Sequence, residues 1–109
     1  MTSNPFALFK AMIQILLDLY KINEDEELSI YLSDADPFFY ENGSSLDPVV
    51  FEDFKELYSK SKDKGLDDYD FIVYYLENLD TYYGNILKHF LSIPKDECKH
   101  KLESLIRSY

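Results

Sequence analysis

Cysteine is almost absent from this 109-residue chain. Cys98 stands alone, so no disulfide forms within the chain and the fold must hold by packing. Glycine occurs only three times, which excludes a glycine-rich phosphate loop. Cations are scarce as well: eleven Lys and Arg face twenty-one Asp and Glu, for a formal net charge of −10. Phosphate contacts need Lys and Arg, so direct binding of DNA or RNA, or of an anionic membrane, is not expected. The longest apolar stretch, residues 6–22, is interrupted by Lys10, Gln14, Asp18 and Lys21, which argues against a membrane span. It has no basic region before it and no small-residue cleavage site after it, so the expected location is cytoplasmic.

What the chain does have is bulk and negative charge. Hydrophobic residues make up 46% of it, including ten Tyr and eight Phe, enough to build the core of one domain over residues 1–109. The charge is unevenly spread. Residues 24–80 hold seventeen acids against four Lys, a net of −13, whereas both flanks are slightly positive. Such a field attracts a basic surface.

The periodicity is helical throughout. Asn4 and Pro5 open a first helix that fades near Asn23. At about 100° per residue, its four polar positions fall within roughly 80° of one another. The rest of its circumference is apolar, so it is expected at the centre of a bundle. Residues 28–32 read as a short helix, though the same residues also alternate as a strand would. Residues 33–47 are irregular, with turn pairs at Asp36-Pro37 and Asn42-Gly43. Asp47 and Pro48 start the next helix, with Val50, Phe54, Leu57 and Tyr58 inward and Gly65 past its end. Asp67 caps another, whose stripe of Ile72, Leu76, Leu79, Tyr83, Ile86 and Phe90 predicts one long helix from 68 to about 91. It would run through Gly84 at a cost of about 1 kcal/mol relative to Ala. Pro94 opens the last helix, with Cys98, Leu102, Leu105 and Ile106 inward. The fold class is all-α: a compact bundle of four main helices plus a short helix and one irregular acidic loop.

No constellation of catalytic groups stands out, so the chain does not read as an enzyme, and no cofactor or metal is expected. Cys98 and His100 lie two apart and point about 200° away from each other on one helix, a spacing that matches no zinc pattern. The bland reading of His89 and His100 is a surface or boundary position. Taking Asp34 as the first position of a calcium loop puts Phe39 where glycine belongs and Ser45 where a bidentate Glu belongs. Glu97 and His100 form half of a di-iron motif without its other half.

What remains is an acidic, aromatic middle. Tyr31, Asp34, Asp36, Phe39, Tyr40, Glu41, Glu52 and Asp53 form one group, and Asp68, Tyr69 and Asp70 a second. Carboxylates hold Arg or Lys, and Tyr adds contact area with little rotamer entropy to lose, so these eleven residues are the candidate partner-binding set. The other reading makes the acids helix caps and a solvated face and the aromatics core. Capping is the better reading for Asp47 and Asp67.

The segments Tyr31-Leu-Ser-Asp-Ala-Asp-Pro-Phe and Ser45-Leu-Asp-Pro-Val-Val-Phe-Glu-Asp-Phe resemble stretches of small immunity proteins from bacterial contact-dependent growth inhibition and related polymorphic toxin systems. Leu46 and Val49 depart from the resemblance, which has Ala there. It implies a cytoplasmic monomer that binds a cognate toxin domain, basic and a nuclease, in a 1:1 complex. The alternative is an acidic helical adaptor or regulator for an unrelated basic protein.

Overall fold

In a computed structural model, which describes residues 4–35 and 47–109, the chain is all-α. The helices are α1 (Pro5–Asn23), α2 (Glu26–Ala35), α3 (Pro48–Lys60), α4 (Asp68–Tyr83), α5 (Ile86–Leu91) and α6 (Lys95–Ser108), with a 3-10 turn at Lys62–Lys64 after α3. None of these helices is long and apolar enough to cross a membrane.

α1 is the hub, in contact with α2, α3, α5 and α6. Leu8, Phe9, Ala11, Met12, Ile13 and Leu16 lose all exposure there, while Lys10, Gln14, Asp18 and Lys21 form the wetter stripe. The helix starts where Asn4 Oδ1 accepts the Phe6 N–H at 2.8 Å, with Pro5 in the first turn. It stops where Glu24 turns left-handed, at φ 50°. One continuous core takes residues from all six helices. Phe54 sits near its middle, with the rings of Phe9, Phe71 and Tyr75 centred 4.8–5.3 Å away.

Two features differ from the sequence expectation. The stretch after Asn23 is a ten-residue helix rather than a five-residue one or a strand. Asp25 caps it by accepting the Leu28 N–H at 3.0 Å. Its buried residues Leu28, Tyr31, Leu32 and Ala35 follow helical spacing.

The long helix expected from 68 to about 91 is two helices, broken at Gly84. Gly84 adopts φ 89° and ψ −143°, a region that only glycine enters readily. Two carboxylates hold the break. Asp80 Oδ1 accepts the N–H groups of Ile86 and Leu87 at 2.9 and 3.2 Å, ending α4 and starting α5. Glu27 reaches over from α2 to accept the Asn85 N–H at 2.9 Å. Both halves of the apolar stripe still point inward, so the period carries across the break although the helix does not. Among the described residues the bundle therefore has five helices of ten residues or more plus the six-residue α5.

Candidate functional site

α3 sends Val50, Phe54 and Tyr58 into the core. Its neighbouring stripe, Asp53, Leu57 and Lys60 with Glu56, faces α4 instead. Carboxylates and an ammonium resist dehydration without a partner, so the two helices do not close over this stripe. The result is a groove of about 510 Å³ between them. α4 contributes Tyr75, Asn78, Leu79, Tyr82 and Tyr83 to it. Val50, Leu57, Leu79 and Tyr75 give the groove apolar surface. Tyr82, 87% exposed, stands at its rim. Glu56 and Lys60 pair across one helical turn at 2.8 Å, and the Lys60 hydrogen bond and charge hold the Glu56 carboxyl below its ordinary value.

Tyr83, which lines the groove, is also where the charges of three carboxylates are felt. The Tyr83 hydroxyl donates to Asp34 Oδ2 at 3.4 Å. Burial raises the Tyr83 phenol above its ordinary pKa, and the negative charges of Asp34, Asp47 and Asp53 raise it further. The Asp47 N–H donates to the Asp34 carbonyl at 2.7 Å, tying the end of α2 to the start of α3. Asp47 also caps α3 by accepting the Val49 N–H at 3.0 Å. The Tyr31 and Tyr75 hydroxyls share a buried hydrogen bond of 2.9 Å.

The eleven candidate residues do not all share this surface. Asp34 and Asp53 do. Glu52 is exposed on α3 but does not line the groove. Tyr31 has no exposed surface, so its ring is core rather than partner contact. Tyr69 is also buried, its ring centred 5.7 Å from that of Phe90. Asp68 and Asp70 sit half-buried at the opposite end of α4, which at sixteen residues is about 24 Å long. Asp36, Phe39, Tyr40 and Glu41 lie outside the described residues.

The two acidic ends differ in their surroundings. At the start of α4, Asp67 caps the helix through the Asp70 N–H at 2.8 Å and pairs with Lys99 of α6 at 3.0 Å. Burial opposes ionisation of Asp67, yet these contacts outweigh it and hold the carboxyl below its ordinary value. Lys95 lies over the Tyr69 ring at 5.5 Å, and Asp67 and Asp70 both raise the Lys99 pKa. The cations of α6 thus balance that end. No ion pair to Asp34 or Asp53 exists among the described residues.

Sequence reasoning missed Glu56, Lys60, Asn78, Tyr82 and Tyr83 as groove residues. Tyr82 had a visible signal, being a large aromatic off the apolar stripe that Leu79, Tyr83 and Ile86 follow. His89 lies 3.3 Å from Asp25, at the start of α2. Cys98 is buried while His100 is exposed, and burial pushes the Cys98 thiol up to about 11. Among the described residues, no three His, Cys, Asp or Glu side chains are grouped to hold a metal ion.

The site thus defines an all-α protein with an acidic, tyrosine-lined groove. No family model, curated protein or solved structure matches the chain.

Proposed function

We propose that this protein binds and neutralises a basic protein, acting as the immunity partner of a cognate toxin domain whose phosphate-binding surface, that of a nuclease, is rich in Lys and Arg. One observation carries this reading: the Tyr83 hydroxyl, at the α3/α4 groove, donates to Asp34 and feels the negative charges of Asp47 and Asp53, with no Lys or Arg paired to Asp34 or Asp53 among the described residues. Opposite fields steer encounter, and an exposed Tyr beside them supplies the large contact area that interface anchors require. The sequence resemblance supports the same reading, because it runs through Asp34, Asp47 and Asp53. An acidic surface of this kind occupies a groove shaped for phosphate and keeps the substrate out.

Co-expression with the product of the adjacent gene, followed by purification and assay, tests this. A 1:1 complex that abolishes the partner's activity is expected. Reversing charge at Asp34 and Asp53 (Asp34→Lys, Asp53→Lys) should slow association on the order of tenfold or more at low salt, with the difference shrinking as salt rises. An unchanged association rate would remove this surface from the interface. Binding that leaves the partner fully active would assign the adaptor role instead.

A further inference from the structure

We propose that the α3/α4 groove receives one amphipathic helix of the basic partner, lying along the groove with an Arg or Lys against Asp53 and apolar side chains on Leu57 and Leu79. The inference rests on the binding function proposed above and specifies what enters the site. Three observations point to it.

The first is shape. The lining stripe of α3 runs from Val50 through Asp53 and Leu57 to Lys60, a rise of about 15 Å, or close to three helical turns. The facing stripe of α4 has the same kind of spacing, Tyr75, Asn78, Leu79 and Tyr82. Two facing rows of helical side chains present the ridges between which a third helix packs. The second is backbone chemistry. Both walls are helices whose N–H and C=O groups are bonded along their own axes, so the groove offers no free sheet edge. An extended peptide would find no main-chain partners there, whereas a helix brings its own hydrogen bonds. The third is charge. Asp53 has no ion pair or hydrogen bond among the described residues. Lys60, the one cation among the lining residues, is held by Glu56 in an exposed pair that gives way at little cost. A cation therefore fits at the Asp53 end and apolar residues fit one turn further along, which is an amphipathic helical pattern. Tyr82 at the rim is placed to close over such a helix or to meet a cation with its ring.

The probe is a synthetic peptide of about four helical turns, with Arg and Leu at helical spacing on one face. It is compared with a version carrying Glu for Arg and a version with a central proline, each titrated into the isotopically labelled full chain. Saturable 1:1 binding is expected, with chemical-shift changes concentrated at Asp53, Leu57, Leu79 and Tyr82. The Glu and proline versions should bind at least about tenfold more weakly. Asp53→Lys and Tyr82→Ala change exposed side chains and leave the fold intact, which circular dichroism checks; Asp53→Lys should weaken binding about tenfold.

Absence of binding by the Arg peptide overturns the inference. So do equal binding by the proline version, shifts centred on Asp68 and Asp70, or indifference to Asp53→Lys. If the groove fails in these ways while the intact basic partner still associates at a rate sensitive to Asp34→Lys, the acidic surface stands and the helix-in-groove mode falls. If no basic partner binds either, both fall.

Discussion

At the scale of single residues, the Tyr31 and Tyr75 hydroxyls meet in the core at 2.9 Å, on rings that are almost wholly buried. Each satisfies the other, and a buried hydroxyl without a partner is costly. Tyr31→Phe or Tyr75→Phe alone should therefore destabilise by about 1–2 kcal/mol, because each strands one hydroxyl. The double variant should cost less than the sum of the two, since it strands none. A double-mutant cycle on urea unfolding midpoints measures this, and strict additivity would show that the hydroxyls do not act as a pair. The chain itself marks Tyr31 as helical and aromatic, but not as inward. Its buried hydroxyl is partnered by Tyr75, 44 positions away, which supplies the other half of the bond.

At the scale of elements, the division of α4 from α5 rests on one glycine and two carboxylates. A methyl group at Gly84 would collide with the Glu27 carboxylate and would hold φ 89° against the preference of every L side chain. Gly84→Ala should cost about 1–3 kcal/mol. Removing Glu27 in the same chain relieves the collision but not the backbone strain, so Gly84→Ala should remain destabilising in a Glu27→Ala background. Thermal unfolding of the four variants checks this, and full rescue by Glu27→Ala would assign the whole effect to the collision. The sequence shows the glycine but favours a continuous helix, because the apolar stripe keeps its period across the break. The deciding contact is Glu27 to Asn85, 58 positions apart, and no local pattern carries that information. Helix starts were legible for the opposite reason: Asn4, Asp47 and Asp67 each cap through an N–H within three residues of themselves.

At the scale of the whole molecule, the net charge of −10 is distributed by the docking of α6. Lys99 reaches Asp67 at one end of α4, while the groove end keeps its field. Stability should also depend on alkaline pH. Burial raises the Tyr31 and Tyr75 phenols well above their ordinary value, and the Asp53 charge adds to the rise at Tyr75. In the unfolded chain both ionise near about pH 10, while in the folded chain both stay protonated. The folded state then binds more protons, so the stability these two phenols supply is at its full value below about pH 10 and falls as pH rises through and above it. The slope should approach about 1.4 kcal/mol per pH unit for each phenol. Urea midpoints between about pH 8 and pH 11 test the prediction. The Tyr31→Phe, Tyr75→Phe double variant should lose the share of the slope that these two phenols supply and keep the share from Tyr83 and the Cys98 thiol, which burial also raises, and an unchanged slope would place its origin wholly elsewhere.

The sequence by itself determined the helical class, the starts of α1, α3, α4 and α6, the buried face of α1 and most of those of α3 and α6 (Leu57 lines the groove, and Leu105 and Ile106 are only partly buried), and the excess of acid in the middle of the chain. These follow from spacing over a turn or two and from simple counting, both of which are properties of one dimension. The tertiary structure decided which acids share a surface. It brought the charges of Asp34 and Asp53 to bear on Tyr83 at the groove, sent Tyr31 and Tyr69 inward, and set Asp67 and Asp70 against the cations of α6. Such outcomes depend on how helices dock through contacts between residues far apart in the chain, and a carboxylate's charge acts through space rather than along the backbone.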